Sequence, residues 1–150
     1  MCSNMLGRYS EFHTAADVVH EDEDTYAFIS PHWYESHPGH ALVVPRAHFE
    51  NLYQIPAEIL GRVYAAVQRI AVAMRGSYQC RGISTRQNNE PSGGQDVWHL
   101  HVHIFPCHGA DGSRNYLGEF RFADAAARAP YAQKLRDRLA RMSAESSSVP

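Results

Sequence analysis

Three histidines occupy alternate positions, 99, 101 and 103, in the stretch WHLHVHIF. In an extended strand successive side chains point to opposite faces, so these imidazoles share one side while Trp98, Leu100, Val102 and Ile104 share the other. With 10 histidines among 150 residues, such a repeat has roughly a 4% chance of arising at random, so its chemistry is worth asking about. Three readings fit the face. It is the wet side of a half-buried strand. Or imidazoles at i and i+2 share a zinc ion with a third ligand. Or the central ring is a nucleophile: an imidazole of pKa about 6.5 is largely neutral at pH 7 and can attack, while its neighbours orient it and bind anionic oxygens.

A face of this kind needs a core beneath it, and 150 residues suffice for a single domain spanning 1–150 that buries one without covalent staples. The formal net charge of -2 supplies no basic field for nucleic acid, so any phosphate recognition must be local. Cys2, Cys80 and Cys107 are odd in number and form no C-x-x-C pair, which argues against a disulfide framework or a zinc ribbon and for a reducing cytoplasm. No apolar run approaches the ~18 residues of a membrane span, and the opening MCSNMLGRYSEFH has neither the basic nor the apolar region of a signal peptide.

The flanking sequence predicts the elements that would position the histidines. HEDEDTYAFIS reads as a solvated acidic turn entering a strand over 25–30, with Tyr26 and Phe28 on one face. PHWYESHPGH reads as a loop, and ALVVP as a buried strand stopped by Pro45. From Pro56 to about Arg75, Ile59, Leu60, Val63, Val67, Ile70 and Met74 recur at spacings of three and four. This predicts a helix that exits at Gly76, with Tyr64 and Met74 as packing residues. GISTRQ alternates as a strand and NNEPSGGQ is a turn-forming loop leading into the histidine strand. The tail FADAAARAPYAQKLRDRLARM is helix-prone but interrupted by Pro130. The expected core spans about 20–142, with a frayed tail over 143–150.

Taken together, PGHALVVPRAHF, QNNEPSGGQ and HLHVHIFP resemble the histidine triad (HIT) superfamily of nucleotide hydrolases and transferases, whose signature His-φ-His-φ-His-φ-φ, with φ apolar, is met over 99–105. The resemblance implies an α+β fold with an antiparallel sheet of about five strands, one long helix and a C-terminal helix. It implies a homodimer, no required cofactor beyond Mg²⁺ accompanying a polyphosphate substrate, and no membrane or nucleic-acid partner. It also implies that His101 attacks the α-phosphorus of a nucleotide, with the carbonyl of His99 fixing its second nitrogen. His103 and the upstream His40 would touch phosphate oxygens and stabilise developing charge.

The glycines of SGGQ, Gly94 among them, would let backbone N–H groups approach the phosphates. Gln95 and Asn88 would hold phosphate or ribose, with Asn89 the alternative one residue on. Two positions depart from the family pattern. Asp96 stands where many members carry Ser or Thr, which would leave the phosphate contact there to backbone N–H groups. His32 stands where relatives often place Asp or Asn against the ribose, so that His32, Trp33 or Tyr34 would shape the base pocket instead. The short C-x-x-C motif of some relatives is absent, so no structural zinc is expected. The proline and Gly-rich loop of HIFPCHGADGSRNY resemble the branch that handles dinucleoside polyphosphates, or its general bacterial-type relatives. The expected activity is hydrolysis at an α-phosphate through a nucleotidyl-histidine. The alternatives are an adenosine phosphoramidase, a dinucleoside polyphosphate phosphorylase, a slow-turnover nucleotide sensor and a zinc-binding structural protein.

Overall fold

The computed structural model describes residues 13–34, 36–109 and 120–147. In chain order these form β1 (Val18–Glu21), β2 (Thr25–Ile29), β3 (His32–Tyr34), β4 (Ala41–Pro45), α1 (Ala57–Tyr78), β5 (Gly82–Gln87), β6 (Val102–Cys107), β7 (Phe120–Phe122) and α2 (Ala125–Ser147). Five strands make an antiparallel sheet in the order β1-β2-β4-β6-β5, and β3 pairs with β7 in a separate two-stranded ribbon. The fold is α+β, with the five-stranded antiparallel sheet, long helix and C-terminal helix that the resemblance implies.

The sheet has two dissimilar faces. Ala27, Ile29, Ala41, Val43, Val102 and Ile104 point to the side covered by the helices and merge with Val63, Val67, Ile70 and Met74 of α1 and Leu135 of α2 into the main core. The opposite side carries a small apolar cluster of Phe28, Leu42, Val44 and Val97, with Tyr26 against it. His103 lies on this second side beside Leu42. The alternation of apolar residues therefore decides which side is thick and which is left for a ligand.

Pro56 caps α1, where its missing N–H costs nothing, and Glu58 sits in the first turn, where a carboxylate complements the helix dipole. The helix does not stop at Gly76. It runs on to Tyr78 and ends through Gln79 in the left-handed conformation, φ 55°. Gly76 lies where α1 meets α2: a Cβ on it would stand 3.6 Å from Nε of Arg138. Met74 is packed as expected, but Tyr64 faces solvent.

Other expectations need correction. Pro130 does not interrupt the C-terminal helix, which continues to Ser147 through the first part of the expected frayed tail. Asp124 starts it by accepting a hydrogen bond from the Ala127 N–H, and near the far end Ser146 and Ser147 hydroxyls donate to the carbonyls of Met142 and Ser143. The acidic turn is a turn, but an ordered one: Asp22 accepts from the backbone of Asp24 and Thr25, and Arg46 and Arg62 pair with Glu21 and Asp24. The loop PHWYESHPGH contains β3. The histidine strand begins only at Val102. Before that the Leu100 N–H donates to the Phe49 carbonyl and not to a neighbouring strand, so residues 97–101 leave the ladder. Trp98, expected on the core side, is 40% exposed as a result, and Val97 is buried instead.

No described helix is long and apolar enough to cross a membrane.

Candidate active site

Between the second sheet face and the segment ending in Asp96 lies a cavity of about 170 Å³. Its walls come from Ser30 and His40, which flank β2 and β4, from His32 and Tyr34 of β3, and from Arg86, Asn88, Gly94, Asp96, His103 and Phe105. Six of the nine predicted site residues thus share one cavity: His32, His40, Asn88, Gly94, Asp96 and His103. The other three, His99, His101 and Gln95, are buried but do not line it.

Gln95 is spent on structure. Its side-chain oxygen accepts from the Glu90 N–H at 2.8 Å and its amide donates to the carbonyls of Glu50 and Val97, tying the glycine loop to the chain after β4. Asn88 does similar work, donating to the Gly94 carbonyl at 3.1 Å while accepting from Nε of Arg86 at 3.0 Å. Asn89 accepts from the Leu52 N–H. Of the three candidates for the base pocket, His32 and Tyr34 face the cavity. Trp33, the middle residue of β3, turns into the core against Tyr131.

The backbone turns sharply just before His40. Gly39 has φ 77°, and a Cβ there would collide with the Tyr131 ring at 2.3 Å, so only glycine lets this loop close on α2. The Tyr78 hydroxyl reaches the Gly39 carbonyl at 3.3 Å and braces the same turn from α1.

The histidines form a connected set. Nδ1 of His101 is 2.8 Å from the backbone carbonyl of His99. A carbonyl only accepts, so the His101 proton sits on Nδ1 and the lone pair on Nε2. Nε2 of His99 in turn meets the Pro45 carbonyl at 2.8 Å, and its Nδ1 lies 3.3 Å from Nδ1 of His48. The His101 and His103 rings are 5.0 Å apart, His103 stacks parallel on Phe105, and Nδ1 of His103 lies 3.4 Å from Nε2 of His40. Nδ1 of His40 is buried without a hydrogen-bond partner among the described residues.

Burial dominates the electrostatics. It pushes the His40 imidazole down to about 3, with repulsion from His37, His32 and His101 adding to it. His99 falls to about 4 through burial, against the pull of the Pro45 hydrogen bond. His103 is held well below its ordinary value by burial, His101, His40 and Arg86. His101 is lowered by burial, opposed by the His99 carbonyl and the Asp96 carboxylate. All four rings are therefore neutral at pH 7. They can offer lone pairs and N–H donors without a proton having to be removed first.

Sequence reasoning missed Arg86, Ser30 and Phe105 as lining residues. Phe105 and His40 were both inside quoted motifs, and their rings lie 4.7 Å apart. Arg86 reads in sequence as an ordinary charged residue of a strand. Its register partner is the signal: Arg86 pairs with His103, and directly opposed residues share a face. Among the described residues, no three His, Cys, Asp or Glu side chains are grouped to hold a metal ion.

A five-stranded antiparallel sheet with a histidine face over a cavity defines a class of small α+β proteins, and the HIT domain family matches residues 11–110 of the chain. The chain belongs to that family, whose members are typically nucleotide hydrolases or transferases. Protein hit of Bacillus subtilis (strain 168) is 38% identical over 91 residues, and the match covers 61% of this chain and 61% of that relative. The crystal structure of a Hit-like protein involved in cell-cycle regulation from Bartonella henselae is 32% identical, with a TM-score of 0.72, covering 89% of this chain and 92% of that one. A hypothetical histidine triad nucleotide-binding protein from Sulfolobus tokodaii shares the fold, with a TM-score of 0.77 at 23% identity, over 94% of this chain and 93% of that one.

Proposed function

We propose that the protein cleaves a nucleotide at its α-phosphate through a nucleotidyl-His101 intermediate, with dinucleoside polyphosphates as the substrate class. The observation that carries this reading is the setting of His101: buried, and held by the His99 carbonyl in the tautomer that leaves Nε2 as nucleophile.

Nε2 donates its lone pair to phosphorus, the bond from phosphorus to the leaving oxygen breaks, and that oxygen departs with the electron pair. The ring now carries a positive charge, because Nδ1 keeps its proton while Nε2 is bonded to phosphorus. Two groups favour that cation: the His99 carbonyl and the carboxylate of Asp96, which both raise the basicity of His101. Asp96 thus has a use different from that of a hydroxyl at its position. His103, which lines the cavity beside His101, and His40 behind it offer neutral rings to the phosphate oxygens. Water then attacks the intermediate on phosphorus, releases neutral imidazole and gives up a proton to solvent.

The test is a panel of diadenosine polyphosphates and adenosine 5′-phosphoramidate, run with and without inorganic phosphate and quenched to trap label on protein. The expected result is turnover of a polyphosphate with transient AMP on His101. Label on another residue, or substantial turnover by His101→Ala, overturns the reading. Tight nucleotide binding with slow product release would instead mark a sensor.

A further inference from the structure

Arg86 is the one fixed cation among the described residues lining the cavity. It is built into place. Its Nε donates to Oδ1 of Asn88 at 3.0 Å, and Asn88 is anchored in turn on the Gly94 carbonyl. Gly94 has φ 86°, and a Cβ there would stand 3.3 Å from a terminal guanidinium nitrogen, so a glycine at this point keeps the guanidinium's space open. Arg86 makes no other hydrogen bond or ion pair among the described residues. Four N–H donors on its terminal nitrogens therefore remain for a ligand.

Its place across the sheet says which part of a ligand it meets. The strand order β2-β4-β6-β5 sets out, from one side to the other, Ser30 after β2, His40 before β4, His103 on β6 and Arg86 on β5. Neighbouring strands are about 4.8 Å apart, so Arg86 lies about one strand beyond His103 and two beyond His40. The near end of this row, with His32 and Tyr34 of β3, is aromatic and carries no fixed charge, which suits a nucleoside. The histidines occupy the middle, where the reaction centre falls. The far end is cationic.

We infer that Arg86 is the binding residue for the leaving group, clamping the anionic phosphates beyond the scissile bond and making the protein selective for nucleotides whose leaving group is a polyphosphate. This rests on the α-phosphate chemistry proposed above and adds to it the direction in which the substrate lies. When the bond from phosphorus to the leaving oxygen breaks, negative charge grows on the departing phosphate, and a fixed guanidinium fork is suited to stabilise it. The four neutral histidines supply no such charge. An amine leaving group, which departs uncharged after taking a proton, gains nothing from it.

The experiment compares kcat/KM for diadenosine tetraphosphate and adenosine 5′-phosphoramidate in wild type, Arg86→Gln and Arg86→Lys. Loss of one electrostatic stabiliser of this kind lowers kcat/KM about 10²-fold, so Arg86→Gln should fall by that much on the tetraphosphate and by less than about 5-fold on the amidate. Arg86→Lys restores part of the loss, because a point charge replaces the fork. Rising salt should weaken the tetraphosphate reaction in wild type and much less in Arg86→Gln. Equal losses on both substrates, or none on the tetraphosphate, overturn the inference. If wild type forms no nucleotidyl-enzyme with any nucleotide, the α-phosphate reading fails and Arg86 is judged by calorimetry with inorganic tripolyphosphate: at least 10-fold weaker binding to Arg86→Gln supports the anion clamp, and unchanged binding removes it. Should Arg86→Gln not fold, Arg86→Lys decides: a loss on the tetraphosphate larger than that on the amidate supports the clamp, and equal losses overturn it.

Discussion

Two buried polar clusters in this molecule are built on opposite plans. In one, Arg128 of α2 and Asp17 are both about 1% exposed, and every strong group is spent: the guanidinium makes a two-point pair with the carboxylate at 2.8 Å and donates to the Ala123 carbonyl, while Thr14 gives the same carboxylate two more donors. In the other, His40, His99 and His101 are buried and His103 is half-buried at the cavity, yet His40 keeps a nitrogen without a hydrogen-bond partner among the described residues and the lone pair of His101 stays available. The first cluster is charged and saturated. The second is neutral and left incomplete. Saturation holds a chain in place, and incompleteness leaves groups for a substrate to use.

The contrast is broken most sharply by two substitutions. His101→Ala should lower turnover by more than about 10⁴-fold, as removal of a nucleophile does, while urea denaturation and nucleotide binding change little. Asp17→Ala should do the reverse. It leaves Arg128 buried without its counter-ion, which costs about 3–5 kcal/mol, read as a shifted urea midpoint, while turnover per folded molecule is preserved. If both variants lose activity and stability together, the two clusters are not separable and the division fails.

His103→Ala should fall between them, with turnover reduced about 10²–10³-fold and some nucleotidyl-enzyme still trapped in a quench, because an electrostatic assistant is removed and the nucleophile remains. Complete loss of the intermediate would move His103 out of an assisting role.

A smaller effect separates the clusters by pH. His40 and His99 are lowered to about 3 and about 4 in the folded protein, so below pH 6.5 the unfolded chain binds protons that the folded one refuses. Stability then falls as pH drops from about 6.5 towards 4, with a slope near 2.7 kcal/mol per pH unit if both sites contribute fully. Asp17 adds little over most of that range. Burial raises its carboxyl, but the Arg128 and Thr14 hydrogen bonds outweigh burial and leave it below 3.8, so its loss begins lower. Denaturation curves at pH 7, 6, 5 and 4 measure the slope. The double variant His40→Asn/His99→Asn should reduce it, leaving the part that His101 and His103, lowered by the same burial, contribute. Last, Tyr64→Ala on exposed α1 should change stability by less than about 0.5 kcal/mol, a control for surface substitutions.

Much of the sheet was legible because its signals are local. The strands at 25–29, 41–45 and 82–87 are short apolar or alternating runs between turn residues, and the body of α1 shows its three-and-four spacing. What stayed hidden depends on distant partners. β3 and β7 have three residues each and exist because His32 meets Phe122, ninety positions on. The irregular path over 97–101 follows from Phe49 claiming the Leu100 N–H, which no alternation of side chains reveals. The histidine motif gave the composition of the site. Which residues face the cavity, and that Gln95 is spent on backbone carbonyls, came from the way loops close over it.

The hydrogen bond from His101 to the carbonyl of residue 99 has a consequence for how this site can change over generations. A nucleophile steered by a neighbouring side chain is lost when that side chain is exchanged. Here the steering atom is one that all twenty amino acids carry. Replacement of His99 removes its imidazole and the link to Pro45, yet the replacement still presents a carbonyl to Nδ1. The proton's position on His101 is therefore inherited with the course of the main chain, and anyone wishing to retune this nucleophile must redirect the backbone between Val97 and His101.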